Sequence, residues 1–175
     1  MGREEEIIKE RERKIQELKD IGINPYAHKF EKKNLIADCV KAKIGAGAKT
    51  AGRVMTKREI GKIIFSDLMD FTGRIQMVFQ AGKTGKKDFE FFSRYIDIGD
   101  IIGVEGKIIK TKTGQQSILV KNTKLLTKSL LPLPDKWHGL QDKEERYRKR
   151  YLDLIMNPEI RKVFEVREKI IDTIR

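Results

Sequence analysis

The residues best suited to recognition chemistry stand in two short runs, residues 62–69 and 73–80. In the second run Ile75, Met77 and Phe79 alternate with Arg74, Gln76 and Gln80, the period of a strand with one face in a core. Gln76 therefore faces outward. Alternation alone does not choose a face for Phe65, but a hairpin does. If Phe71 and Thr72 form a two-residue loop, paired positions sum to an odd number, which puts Phe65 on the face of Gln76 and sends Ile64 and Leu68 into the core. The outcome is an exposed aromatic beside an amide and the Arg74 guanidinium. Such a ring stacks a splayed nucleobase for about 1–3 kcal/mol, and the amide reads that base's edge. A bulge in either strand would flip the register and make Phe65 a core residue; periodicity leaves both readings open.

The charge balance points to a polyanion. Lys and Arg number 38 against 26 Asp and Glu, a net charge of +12, and basic charge displaces the counterions condensed on phosphate backbones. Cys39 is the only cysteine, so an intrachain disulfide and a Cys-x-x-Cys zinc site are both excluded. His28 and His138 are far apart, with no cysteine or carboxylate cluster beside them, so no metal is expected. The first residues, MGREEEIIKERERK, lack the apolar core of a secretory signal. Glu6 stands where a myristoylation start needs Ser or Thr. No run approaches the roughly 18 apolar residues of a membrane span. These features predict a cytoplasmic chain. Two glycine- and lysine-rich pieces fail as phosphate loops: Met77 sits where Gly82-Lys83-Thr84 would need its upstream glycine, and Ala48 replaces the glycine that should precede Lys49. They read as turns.

Around the two runs the chain changes character several times. Residues 3–21 alternate charge signs, with Ile7, Ile8, Ile15 and Leu18 on one stripe; this predicts an exposed helix with a narrow apolar face, supported by pairs such as Glu10–Lys14. Gly22 and Pro25 stop it. Residues 51–57, 62–69 and 73–80 read as strands, residues 88–96 as a helix, and residues 100–111 and 116–127 as two more strands about the Thr113-Gly114 turn. Three strands, a helix and two strands is the order of the OB fold, a five-stranded Greek-key barrel. The fold expected is therefore mainly β: an OB barrel with an N-terminal helix and a C-terminal helical extension. In that extension Ile160, Val163, Phe164, Ile170, Ile171 and Ile174 recur at helical spacing, with Pro158 in the first turn and Asn157 as cap.

Between barrel and extension lies PDKWHGLQDKEERYRKRYLDLIMNP, residues 134–158, where basic residues interleave with aromatics. Pro132 and Pro134 favour extended chain there and mark a boundary. Trp137, His138, Gly139, Leu140 and the run from Arg146 to Leu154 closely resemble the junction between anticodon-binding and catalytic domains in class II lysyl-tRNA synthetases. Gly22-Ile23-Asn24-Pro25-Tyr26 is similar to the family's connection between N-terminal helix and barrel. The resemblance implies four segments: an N-terminal charged helix (1–25), an OB anticodon-binding domain (26–131), a linker (132–157) and the first helix of a truncated catalytic domain (158–175).

In the lysine, aspartate and asparagine enzymes of this class an arginine, a phenylalanine and a glutamine eleven places after it grip the central anticodon uracil. Arg58, Phe65 and Gln76 match that pattern, so the resemblance implies stacking on Phe65 and edge contacts from Gln76 and Arg58. Arg53 matches a recurrent family position that serves packing or a phosphate. The family's turn before the last strand usually carries a glutamate that helps read a flanking base; here it is Gln115, and an amide both donates and accepts where a carboxylate only accepts. The function implied is recognition of a tRNA with a lysine anticodon. The catalytic motifs that bind ATP and lysine are not in these residues, so no catalytic residue and no cofactor is expected in this chain, while ATP and Mg belong to the full-length enzyme, a homodimer. The C-terminal helix is expected to self-associate weakly. A general single-strand-binding OB module and a protein-interaction scaffold are the alternatives; the first would show no uridine preference and the second would ignore RNA.

Overall fold

The computed structural model describes residues 2–27, 29–134 and 142–175. His28 and the signature residues Trp137, His138, Gly139 and Leu140 lie outside the described residues. The chain divides into two compact units, Met1–Pro132 and Leu133–Arg175.

The first unit is built on a closed barrel in the order β1-β2-β3-β5-β4. Its strands are β1 (Gly47–Ile60), β2 (Ile63–Met69), β3 (Arg74–Gln80), β4 (Ile101–Lys110) and β5 (Gln116–Thr127). All pairings are antiparallel except β3 with β5. β1 is longer than its sequence suggests, because it serves two neighbours in turn. Its first half pairs with β4, its second half with β2, and a bulge between Val54 and Thr56 lets it bend from one to the other. Gly52 sits just before that bend, where a Cβ would lie 2.5 Å from the Met69 carbonyl oxygen. At its far end β1 turns into β2 through Gly61, whose φ of +57° suits the first position of a tight hairpin turn.

The core lies inside this ring. Val54, Ile64, Leu68, Ile75, Met77, Phe79, Ile102, Ile108 and Ile118 are no more than 2 % exposed. Helix α3 (Lys86–Tyr95) closes one end: Phe92 is buried and stacks on Phe79 with ring centroids 3.9 Å apart. Lys57 of β1 donates to the Phe92, Ser93 and Ile96 carbonyls at the end of α3, and burial pushes its ammonium down to a pKa of about 8. That bond set points Lys57 toward α3 and leaves its neighbour Arg58 on the opposite side of the strand.

Helix α1 (Arg3–Asp20) packs on the barrel more firmly than an exposed helix would. Leu18 is buried, and so is Arg11, which falls on the same stripe as Ile7, Ile15 and Leu18. Arg11 donates to the carbonyls of Ser129 (2.8 Å), Leu131 (2.9 Å) and Ile98 (2.8 Å), so its burial is compensated. The expected Glu10–Lys14 pair does not form. Glu10 instead bonds Arg13, and Lys14 reaches Asp97 at 2.7 Å, because a buried cluster draws it to the barrel. In that cluster the fully buried Lys128 ammonium bonds Asp97, Asp100 and the Tyr95 carbonyl.

Sequence periodicity does not foresee the short helix α2 (Ile36–Lys41). Its first amides are taken by the β2–β3 turn: Ile36 N–H donates to Asp70 and Ala37 N–H to the Thr72 hydroxyl. Its end is held by Gln116, whose Nε2 donates to the carbonyls of Cys39 and Ala42.

The second unit holds α4 (Lys143–Arg148), α5 (Arg150–Met156) and α6 (Pro158–Ile174). Asp153 is fully buried and accepts from Arg146, Arg150 and Asn157. Burial alone would raise its carboxyl, but the bonds from Asn157 and Arg146 and the nearby guanidinium charges outweigh that and hold it below the ordinary range. Asn157 precedes α6 as expected, yet its side chain makes no cap, because Asp153 has claimed it. Arg150 lies over the rings of Tyr147 and Phe164. Val163, Ile170, Ile171 and Ile174 of α6 are each more than two-fifths exposed.

Candidate nucleic-acid interface

The β2–β3 hairpin has the register expected of a two-residue loop. Phe65 stands opposite Val78, Asp67 opposite Gln76 and Met69 opposite Arg74, while Ile64, Leu68, Ile75, Met77 and Phe79 point inward. Neither Phe71 nor Thr72 has a positive φ, so the turn is not one of the forms that usually close such hairpins. Asp70 closes it instead. Its Oδ1 accepts from Thr72 N–H at 2.7 Å, Thr72 Oγ1 at 2.6 Å and Gly73 N–H at 3.1 Å, and its Oδ2 accepts from Lys32 at 2.6 Å. Burial would raise this carboxyl, but Lys32, Thr72 and the Ile36 and Thr72 amides overcome it and draw it down to about 2.

The full length of β1 completes the site. Arg58, beyond the expected strand end, stands directly opposite Phe65, so Arg58, Phe65 and Val78 form one row on the outer face. The next row is Thr56, Asp67, Gln76 and, through the parallel pairing, Ser117. Phe65 is half-buried rather than exposed, because neighbours on both strands flank it. Arg58 is exposed and has no described partner. Gln76 accepts from the Ser117 hydroxyl at 3.0 Å through Oε1, which fixes the amide and leaves its Nε2 without a described partner. Arg74 is on this face but committed, since it pairs with Asp67, which also accepts from Thr56.

Arg53 does not join the group. It is half-buried at the far side of the bulge, where Nη1 donates to the Gly99 carbonyl at 2.6 Å and burial lowers its pKa. Its described contact is with the backbone of its own fold. Gln115 lies in the β4–β5 turn, two residues before the Ser117 that pairs with Gln76. The turn's Thr111 bonds the Gln115 backbone, and the exposed Gln115 side chain has no described partner. In the loop Gly82-Lys83-Thr84, the buried Thr84 hydroxyl donates to the Val120 carbonyl at 2.7 Å, a structural bond. Among the described residues no group of three His, Cys, Asp or Glu side chains could hold a metal ion, and no helix is long and apolar enough to cross a membrane.

The arrangement is thus a half-buried ring, an oriented amide and a guanidinium with no described partner, on the outside of a small closed barrel. Residues 48–126 match the family model of the OB-fold nucleic acid binding domain of the tRNA-anticodon type, and the barrel is a domain of that class. Around it, the chain as a whole is similar to part of the lysine–tRNA ligases. It is 45 % identical over 180 residues to the lysine–tRNA ligase of Pelotomaculum thermopropionicum, covering 99 % of this chain and 35 % of that protein. The enzyme of Halalkalibacterium halodurans is 46 % identical over 97 % of this chain and 36 % of its own length. For Thermosipho africanus the figures are 46 %, 94 % and 35 %. The chain therefore spans about a third of the length of these relatives.

Proposed function

We propose that this chain is the anticodon-reading part of a lysine–tRNA ligase and that its outer-face row grips the central uracil of a lysine anticodon. The observation that carries the reading is the placement of Arg58 and Phe65 side by side on adjacent strands, with Gln76 diagonal to the ring. Phe65 supplies a stacking surface. Gln76 offers a fixed donor to the base edge, and Arg58 a charge free to meet an edge oxygen or a phosphate. Gln115 stands on the turn nearest Gln76 and would meet a flanking base. Arg74 and Arg53 position their surroundings through Asp67 and Gly99 and are not base contacts in this reading.

The four segments inferred from the resemblance, 1–25, 26–131, 132–157 and 158–175, belong to the same proposal. So do the activity and assembly of the whole enzyme: ATP- and Mg-dependent attachment of lysine to tRNA, by a cytoplasmic homodimer. Among the described residues no nucleophile–base set stands poised for such chemistry, and in this reading the chain alone binds RNA without aminoacylating it. The test is a titration of the 175-residue chain and two variants with a hairpin RNA bearing a UUU loop. Phe65→Ala should weaken binding by about 1–3 kcal/mol, and Gln76→Ala should chiefly flatten the preference for uracil. Unchanged affinity in both variants would refute the site.

A further inference from the structure

Phe65 is one member of a longer row. The register leads from Phe65 on β2 to Val78 on β3, Leu119 on β5 and Lys107 on β4. These four side chains share the outer face, since their neighbours Ile64, Met77, Ile118 and Ile108 are each fully buried inside. Val78 is only 5 % exposed although it faces outward; the register sets Phe65 on one side of it and Leu119 on the other. The result is an apolar strip across three adjacent strands. At about 4.8 Å per strand it is roughly 10 Å long, more than one base needs. It ends at Lys107, which is exposed and has no described partner.

We propose that this strip holds a second base of single-stranded RNA, next to the one on Phe65, packed against Leu119 with its phosphate at Lys107. The proposal rests on the reading of Phe65 as a stacking residue. Leu119 presents branched apolar surface and neither donor nor acceptor, so it takes the face of any base and adds affinity without sequence preference. Lys107 is a mobile point charge suited to a phosphate oxygen. The strip therefore supplies affinity, and the discriminating amides Gln76 and Gln115 stand one row away or at the adjoining turn.

The experiment uses a hairpin RNA with a UUU loop and the same hairpin made abasic at each position flanking the central uridine. Leu119→Ala should weaken the intact hairpin about fivefold, the low end of a base-stacking contact, and cost nothing further on the hairpin that already lacks the base concerned. Leu119→Met, which keeps the apolar surface, should retain binding and control for folding. Lys107→Ala, at an exposed position, should lower the slope of log K against log salt by about 0.7. A Leu119→Ala cost that is absent, or equal on every hairpin, overturns the second base, as does an unchanged slope for its phosphate. Loss of binding in Phe65→Ala alongside either result shows that the first base stands without the second. If Phe65→Ala also has no effect, both fall.

Discussion

Phe65 contributes little to the barrel core, because Ile64, Ser66 and Leu68 take the inward positions of β2. Phe65→Ala should therefore shift the unfolding free energy by less than about 1.5 kcal/mol, whereas truncating a buried phenylalanine costs about 3–5 kcal/mol. A denaturation curve separates the two outcomes, and the larger value would mean the ring serves packing. Gln115 carries a second prediction. Gln115→Glu exchanges an amide that donates and accepts for a carboxylate that only accepts, so the variant should favour flanking bases that present an imino N–H and disfavour those that do not. Titrating hairpins that differ at the flanking base checks it; an unchanged rank order would place Gln115 outside the interface. The face of Phe65 was legible from parity, since alternation in β3 and a two-residue loop are enough to set it. The place of Arg58 was not legible from the residues alone. Thr56 to Glu59 is polar on both faces, so periodicity ends there, and only pairing with β2 keeps the strand going.

Asp70 does most to hold the hairpin that carries the site. Its carboxyl sits near 2 when folded, against an ordinary 3.8, and its side chain is only 6 % exposed. A depressed carboxyl stabilises the fold above its unfolded value, and that contribution is lost as pH falls through the folded one. Asp70→Asn should thus cost about 2 kcal/mol at neutral pH, and the gap between variant and wild type should close as pH drops from 4 toward ~2. Denaturant midpoints across that range test it; a gap independent of pH would assign the effect to shape. Lys128→Met should be harsher, about 3–5 kcal/mol, since it strands the fully buried Asp100 and also strips Asp97. Strand order and the helix between β3 and β4 could be read from sequence because those elements are periodic. α2 could not, as six residues are too few to show a period and its amides are satisfied by Asp70 and Thr72 from a distant turn. The burial of Arg11 was hidden for a related reason: an arginine on an apolar stripe looks like an interruption until the free carbonyls that it meets are known.

At the scale of the whole chain, a net charge of +12 favours any polyanion, so affinity for RNA alone decides little. The apolar side of α6 makes a separate prediction. With Val163, Ile170, Ile171 and Ile174 exposed, the 175-residue chain should associate weakly with rising concentration, while a version ending at Pro134 should stay monomeric. Sedimentation equilibrium decides this, and equal behaviour of both would clear the helix of any role. Specificity is what separates an anticodon reader from a general single-strand binder. The most direct measurement is the affinity of the unaltered chain, at one fixed salt concentration, for a UUU hairpin and for hairpins in which only the central uridine is replaced. The outer-face group of Arg58, Phe65 and Gln76 predicts a loss of about 1–3 kcal/mol for each replacement; equal affinity for all of them would contradict it.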